Sequence, residues 1–152
     1  MQIDDAASIL AGADFFDVCT DEERRMLAFA SERKRYPAGS IILESGEVPD
    51  GAQVLVSGSI SITPDGAGEP NPMVVSQPGA VVSLVSLVVQ RPRRVTVRAI
   101  SIVETLMVPR SSFMKLANQS PQLAARAAGR IRRDLLSFVS AVAPMKAKLP
   151  KQ

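Results

Sequence analysis

The sequence predicts a mainly β fold with flanking helices (α+β), in which an antiparallel β-roll or jelly roll follows short N-terminal helices and precedes a long C-terminal helix. Three observations support this prediction: helix-capping signals near both ends of the chain, short apolar runs between them, and turn residues at close spacing between those runs. Many short strands separated by turns are typical of rolled antiparallel structures. The chain has 152 residues, 46% of them hydrophobic, which suits one domain with its own core.

Residues 1–30 predict two short helices with an aromatic anchor between them. Acidic residues precede the apolar segment of the first helix, as the helix dipole favours, and Gly12 ends this helix. Phe15 and Phe16 are expected in the core, because the chain has few aromatic residues. Thr20 followed by Glu23 has the spacing of a capping box, which predicts a second helix to about residue 30.

From residue 31 onward the apolar residues repeat with a period of two, which is typical of strands. The predicted strands are Glu32–Tyr36, Ser40–Glu44, Gln53–Val56, Ile60–Ile62, Met73–Ser76 and Ile102–Val108. The loop Gly46–Gly51 and the polar hairpin tip Asp65–Asn71 separate neighbouring strands. This succession predicts the antiparallel roll.

Two helices are expected after the roll. Pro109 with Ser111 opens the first of them. Ser120 is a helix-cap residue followed by a proline at the first helical position, which predicts a second helix to about Ala143. One face of this last helix is predicted to be apolar, because apolar residues recur along it at helical spacing: Leu123, Ala127, Ile131, Leu135, Phe138 and Val142.

The last helix is a candidate interaction helix. Its apolar stripe is expected either to pack on the chain's own roll or to dock on another protein, including a second copy of the chain in a homodimer. Arg126, Arg130 and Arg133 lie on another face of the same helix. We interpret these three arginines as a solvated face in preference to a nucleic-acid contact.

The stretch Gln77–Ala99, QPGAVVSLVSLVVQRPRRVTVRA, has the local features of an anion-binding site. A Pro-Gly turn leads into a short apolar helical turn, after which Arg93 stands between Pro92 and the strand-like run Val95–Val97. Backbone N–H groups at the start of a helix, together with a guanidinium that bonds an anion in a fork, hold phosphate well. Arg93 is predicted to provide this guanidinium.

This stretch resembles the phosphate-binding cassette of cyclic-nucleotide-binding domains, whose pattern is roughly P-G-x-x-x-G-E-x-A-L followed by P-R-x-A-T-V-x-A. The matching residues are Pro78, Gly79, Leu87, Pro92, Arg93, Thr96, Val97 and Ala99. The segment YPAGSIILESGEVPDGAQVLVSGSISI is similar to the preceding strands of that family, with matches at Gly39, Gly46, Val54, Val56, Gly58, Ile60 and Ile62. The resemblance implies a stand-alone, catabolite-activator-like β-roll with a cassette helix and a C-terminal lid helix over the ligand.

The resemblance places a ligand site at Gly79, Ser83, Leu84, Val85, Arg93, Arg94 and Thr96. It implies that Arg93 binds the phosphate, that Ser83 replaces a glycine, and that Leu84 replaces the glutamate that accepts from the ribose 2′-hydroxyl. An apolar side chain cannot accept this hydrogen bond, so the cassette is expected to be degenerate. Arg94 stands where the family has a small residue, and it is a candidate to fill the pocket and mimic part of a ligand.

The composition argues against an enzyme. The chain has no histidine and one cysteine, Cys19, so the common nucleophile and metal arrangements are not expected, and no metal or cofactor is predicted apart from a cyclic nucleotide as ligand. Cys19 is expected to have a structural role.

The apolar runs fall short of the about 20 residues of a membrane span, and early aspartates argue against a signal peptide. These features predict a cytoplasmic protein with no membrane contact.

The charges are distributed unevenly along the chain, and its length suits a single domain. Residues 1–60 hold 11 acidic and 5 basic residues, whereas the remainder holds 4 acidic and 13 basic ones. Such asymmetry is found in chains that bind nucleic acid or other anions or that self-associate, and equally in small domains with a basic tail and no specific partner. A single domain is predicted over residues 1–143, with helices at 1–30, the roll at 31–108 and helices at 109–143. The polar tail at 144–152 is too short for a helix-turn-helix, so nucleic acid is not an expected partner.

Three functions remain open from the sequence. The preferred one is a stand-alone regulatory or adaptor domain that does not bind cyclic AMP in the usual way and acts through protein–protein contacts. The second is a sensor of a cyclic nucleotide or another anion, drawn by Arg91, Arg93, Arg94 and Arg98. The third is a nucleic-acid-associated protein that uses the basic C-terminal part electrostatically.

Overall fold

The computed structural model describes residues 3–65 and 72–132. Its helices are α1 (Ile3–Ala11), α2 (Asp21–Ala30), α3 (Arg110–Gln119) and α4, described over residues 121–132, with short 3₁₀ turns at Phe16–Val18 and Leu84–Leu87. Its strands are β1 (Glu32–Tyr36), β2 (Ile41–Leu43), β3 (Gly51–Ser57), β4 (Ile60–Pro64), β5 (Met73–Val75), β6 (Val81–Val82), β7 (Val95–Ala99) and β8 (Val103–Pro109). None of the described helices is long and apolar enough to cross a membrane.

The described strands form two four-stranded sheets, in the orders β1-β8-β3-β6 and β2-β7-β4-β5. The strand pairs are antiparallel; for example, Arg33 of β1 lies opposite Leu106 of β8, and Ile60 of β4 lies opposite Ala99 of β7. The predicted mainly β fold with flanking helices is therefore confirmed. The predicted hairpin tip falls largely on residues 66–71, which lie outside the described residues.

Alternation along the strands divides the buried side chains between two cores. In β3, Ala52 and Val54 face the helices, whereas Leu55 faces the interior between the two sheets. The interior core collects residues from both sheets: Leu43, Leu55, Ile60, Val82, Val97, Ala99 and Val103. The period of two thus gives β3 two apolar faces, because one face meets the second sheet and the other meets the helices.

The N-terminal helices form as predicted. The Glu23 backbone N–H donates to Thr20 Oγ1 at 3.1 Å, and the Thr20 N–H donates to Glu23 Oε1 at 2.8 Å, which completes the capping box of α2. Phe15 and Phe16 are buried and stack edge to face, with ring centroids 5.3 Å apart. Cys19 is buried beside them in the same helical core, as its predicted structural role requires.

One aromatic residue adopts a backbone conformation that the sequence does not reveal. Phe15 has φ +76°, a region that costs a non-glycine residue about 1–3 kcal/mol. Its ring is 1% exposed and lies 5.9 Å from the ring of Phe113 in α3. Burial of the ring offsets this strain, so Phe15 joins the N-terminal helices to the helix that follows the roll.

Candidate functional site

The cassette begins with a tight approach between two backbone segments. The Gly79 N–H donates to the Leu55 carbonyl at 2.8 Å, and the Asp14 N–H donates to the Gly79 carbonyl at 2.9 Å. Gly79 has φ +96°, and a Cβ added there would lie 2.6 Å from the Gly12 carbonyl oxygen. Gly79 therefore docks the cassette on the loop after α1, which explains why this position holds glycine.

A left-handed residue starts the helical turn of the cassette. Ser83 has φ +61° and ψ +45°, the conformation for which glycine is usual, and the 3₁₀ turn Leu84–Leu87 follows directly. A serine pays about 1–2 kcal/mol for this conformation. Ser83 therefore gives this turn a backbone geometry for which glycine is usual.

A cavity of about 370 Å³ lies between this turn and the arginine-rich loop. Its lining residues are Val85, Ser86, Val89, Arg91, Pro92 and Arg93. Arg93 is fixed through its backbone, because its N–H donates to the Glu47 carbonyl at 2.9 Å and its carbonyl accepts from the Gly46 N–H at 2.8 Å. The loop before β3 therefore positions the arginine at the cavity.

Two buried polar atoms of the cavity lining have no hydrogen-bond partner. They are Nε of Arg93 and Oγ of Ser86. Buried polar groups are nearly always paired, and an unpaired one costs about 1–3 kcal/mol. Both atoms belong to residues that border the same cavity, and each atom is itself enclosed by protein.

Arg110, the first residue of α3, holds the cassette turn in place through hydrogen bonds. Its Nη1 donates to the Pro49 carbonyl at 2.8 Å and to the Ser86 carbonyl at 3.2 Å, while its backbone N–H donates to the Asp50 carbonyl at 2.7 Å. One guanidinium thus ties the cassette to the loop before β3 and to the start of α3. The sequence reasoning missed Arg110 and Ser86; a lone serine inside the apolar run at 81–89 was the available signal for Ser86.

Several predicted site residues do not border the cavity. Leu84 packs against the helical core, and Gly79 packs against Gly12. Thr96 is half-buried in β7, opposite Thr63 of β4. Of the predicted site residues, Val85 and Arg93 border the cavity, whereas these three do not.

Two of the arginines expected to draw an anion point elsewhere. Arg94 is exposed and does not border the cavity, so the hypothesis that its side chain fills the pocket is wrong. Arg98 is also exposed, and its Nη1 donates to the Gly39 carbonyl at 2.9 Å. Arg93 and Arg91 are the arginines that border the cavity.

The interaction helix packs on its own chain over its described part. Leu123 and Ala127 are buried in the helical core, and Ile131 packs against that core. Of the two alternatives for the apolar stripe, the structure shows packing on the chain itself at these three positions. Leu135 and Phe138 lie outside the described residues.

Arg126 and Arg130 remain partly exposed, and in addition to this solvent contact both side chains bond within the chain. Arg126 Nε donates to the Val18 carbonyl at 2.6 Å, and its Nη2 lies 3.3 Å from Glu23 Oε1. Arg130 Nη1 donates to both carboxylate oxygens of Asp17, at 2.8 and 2.9 Å. These bonds clamp α4 to the N-terminal helices; Arg133 lies outside the described residues.

The Asp17–Arg130 pair predicts a pH-dependent contribution to stability. The hydrogen bond from Arg130 lowers the pKa of Asp17 below its usual value of about 4. A lowered pKa in the folded state stabilises the fold above the unfolded pKa, and this stabilisation is lost as the pH falls through the lowered value. Because the Asp17 side chain is 64% exposed, the pair contributes at most about 0.5–1 kcal/mol.

We therefore expect Asp17→Asn to lower the free energy of unfolding by about 0.5 kcal/mol at pH 7, with the difference from wild type closing below about pH 4. Urea unfolding at both pH values measures this difference. Asp14→Asn is the matched control, because Asp14 is exposed in the same segment. A difference that persists undiminished at pH 3 would contradict the ion pair as its source.

The Cys19 thiol is buried and protonated at neutral pH. Burial raises the pKa of the Cys19 thiol to about 12, with a smaller contribution from the Glu23 carboxylate. Within residues 3–65 and 72–132, no three or more histidine, cysteine, aspartate or glutamate side chains come together in a metal-binding group.

Comparison with known proteins gives a family and several structural relatives. A cyclic nucleotide-gated potassium channel of Mesorhizobium japonicum is 33% identical over 95 residues, which are 62% of this chain and 25% of the channel. The cyclic nucleotide-binding-like protein of Brucella abortus superposes with a TM-score of 0.64 at 29% identity, over 75% of this chain and 98% of that one.

The catabolite activator protein of Thermus thermophilus has the same fold, with a TM-score of 0.72 at 20% identity over 87% of this chain and 62% of that chain. The chain thus spans a quarter of the channel and less than two thirds of the activator protein. The family model described as the cyclic nucleotide-binding domain matches residues 33–120, from β1 through α3. With more than half of its length inside this match, and with the roll and cassette in place, the chain belongs to the cyclic nucleotide-binding domain family.

Proposed function

We propose that this domain is a regulatory module that senses a phosphate-bearing anion through Arg93. The observation that carries the proposal is Arg93, a residue that borders the cassette cavity and whose buried Nε has no hydrogen-bond partner. A guanidinium nitrogen in this state is unsatisfied until an acceptor arrives. A phosphate oxygen is the acceptor that matches a guanidinium best in charge and geometry.

The electrostatic surroundings of Arg93 support the same proposal. Among the described residues, the salt bridges involve Arg24, Arg33, Arg126 and Arg130, and none involves Arg93. The nearby Glu47 carboxylate accepts from the Glu44 backbone N–H at 2.5 Å and so caps its own loop. A positive charge that borders a cavity and pairs with no carboxylate favours an anionic ligand.

A cyclic nucleotide is the first ligand class to test. The relative from Mesorhizobium japonicum is named a cyclic nucleotide-gated channel, and the family model carries the same ligand class in its description. Leu84 packs in the helical core, so it offers no acceptor to a ribose hydroxyl. We infer that such a ligand is held mainly at its phosphate.

A second candidate is contact with another protein, which an exposed apolar face of α2 favours. Phe29 is 76% exposed and Met26 is 50% exposed, and together with Glu22 and Arg25 they line one shallow surface. Large exposed side chains that cluster in this way are typical of docking surfaces. The described face of α4 is a weaker candidate, because Arg126 and Arg130 are engaged within the chain.

Isothermal titration with cyclic AMP, cyclic GMP and cyclic di-GMP tests the anion proposal. We expect binding to the wild-type protein and a loss of affinity of at least about tenfold in Arg93→Ala, because one charge-assisted hydrogen bond contributes about 1.5–3 kcal/mol. Arg98→Ala is the matched control, since Arg98 bonds to Gly39 and not to the cavity. Equal affinities in Arg93→Ala and wild type would contradict the proposal. No heat with any of the three ligands, from a folded sample, would refute the anion site and leave the protein-contact candidate.

A further inference from the structure

The second sheet ends in an apolar strand with one open edge. Among the described strands, β5 pairs with β4 alone, and it stands at the end of the order β2-β7-β4-β5. Its other side presents the backbone N–H and C=O groups of an edge strand. Met73 and Val74 are 58% and 61% exposed, so side chains on both faces of the strand are open to solvent. An open, apolar edge of this kind is a template for a further strand.

The other three edges of the two sheets carry features that oppose such pairing. Along the edge of β1 stand four consecutive charged residues, from Glu32 to Arg35. The register of β2 shifts between Ile41 and Leu43, which marks a bulge. β6 has two residues and ends where Ser83 adopts φ +61°. Charges, bulges and short length are the usual devices that keep an edge strand from pairing, and β5 is protected only by its length of three residues.

The charge pattern favours a second copy of β5 as the partner of this strand. The segment Pro72–Gln77 holds no charged residue. When a strand pairs antiparallel with itself, its central residue meets the same residue of the other copy, so a charge there would repel its own kind. At β5, Val74 would meet Val74, and Met73 would meet Val75, which places apolar side chains opposite one another. The same pairing at β1 would bring Lys34 opposite Lys34.

We propose that β5 is a homodimer interface, at which two copies of this chain pair their β5 strands antiparallel about a two-fold axis. The two second sheets then form one eight-stranded sheet in the order β2-β7-β4-β5-β5-β4-β7-β2. This interface uses neither α4 nor the residues that line the cassette cavity, so association requires no anion. A three-residue strand buries less than the standard interface of about 1,600 Å², so the dimer is weak and reversible.

Sedimentation equilibrium of the full chain without nucleotide tests the interface. We expect a monomer–dimer equilibrium with a dissociation constant on the order of 100 μM. Val74→Lys should weaken the dimer at least about fivefold, because two like charges then meet at the two-fold axis. Val48→Lys is the matched control, since Val48 is 43% exposed in the loop before β3 and the substitution adds the same charge. It should leave the dissociation constant unchanged.

An equimolar mixture of Val74→Lys and Val74→Glu tests whether position 74 meets itself. Each variant alone should associate weakly, whereas the mixed dimer places opposite charges together and should recover the wild-type dissociation constant to within about threefold. Circular dichroism checks that both variants fold, as expected for a side chain that is 61% exposed. A mixture that fails to recover would overturn the proposed pairing.

Hydrogen exchange of the wild-type protein gives a readout that needs no variant. Protection of at least one amide among residues 73–75 should rise with protein concentration, as the strand edge becomes paired. Unchanged protection of these amides, a wild-type protein that is monomeric at about 1 mM, or equal weakening by Val74→Lys and Val48→Lys would overturn the interface. None of these results bears on the Arg93 site, because the two surfaces share no residue.

Discussion

Phe113→Ala is expected to lower the free energy of unfolding by about 3–5 kcal/mol, the usual cost of emptying a buried aromatic site. Phe113 is 1% exposed, and its ring meets that of Phe15 with centroids 5.9 Å apart. It belongs to the core that α1, α2, α4 and strands β3 and β8 share. The cavity left by the substitution would therefore loosen both helical ends of the domain at once.

Chemical unfolding of Phe113→Ala, followed by far-UV circular dichroism, measures this loss, and the Tm should fall by roughly 10 °C. Phe29→Ala is the matched control, because it removes the same side chain from a position that is 76% exposed. A surface change of this kind should alter the free energy of unfolding by about 0.5 kcal/mol or less. Similar losses in the two variants would contradict the assignment of Phe113 to the centre of the helical core.

Gly79→Ala is the second large effect, expected to destabilise the protein by about 2–4 kcal/mol. About 1–2 kcal/mol of this arises from placing a side chain at φ +96°, and the rest from the 2.6 Å approach of the new Cβ to the Gly12 carbonyl oxygen. The Gly12 oxygen is a backbone atom, and a Cβ is fixed by its bond to Cα, so neither atom can move aside by a side-chain rotation. The protein can relieve this clash only by moving the cassette away from the loop after α1.

Gly46→Ala separates the two causes, because Gly46 has φ +93° and no heavy atom within 4 Å of the added Cβ. This control should lose only the conformational part of the stability, about 1–2 kcal/mol. Denaturant unfolding of both variants gives the difference, and hydrogen exchange at the Asp14 amide reports whether its bond to Gly79 is lost. Equal losses in the two glycine variants would show that the contact with Gly12 is not tight.

The fold could be predicted to a large extent because its signals are local. Thr20 and Glu23 cap α2 through residues three apart, and β1 runs from Glu32 to Tyr36 as its pattern predicts. The apolar run at 81–89 was expected to form a helical turn, and it divides into a short strand and a 3₁₀ turn. A continuous apolar run does not distinguish a strand from a helical turn, because it shows neither the period of two of a strand nor the 3.6-residue period of a helix. The predicted domain end at residue 143 lies outside the described residues and stays a prediction.

The site could be predicted only in part because its contacts join distant parts of the chain. Arg93 was identified through its neighbours in sequence, Pro92 and the strand after it. The partners of Arg126 and Arg130 are 103 to 113 residues away, and no local pattern encodes such a pairing. Likewise, the replacement at Leu84 was visible in the sequence, whereas the packing of its side chain into the helical core depends on the folded structure.

The burial of Cys19 gives the molecule an intrinsic chemical reporter. Only a thiolate reacts quickly with alkylating reagents, and a thiol whose pKa is raised to about 12 is protonated at neutral pH. Its side chain is also enclosed by the helical core, which Phe113 shares. Alkylation therefore waits for that core to open, and its rate measures how often the native molecule does so. Since Cys19 is the one cysteine of the chain, every labelled molecule records an opening of the same region.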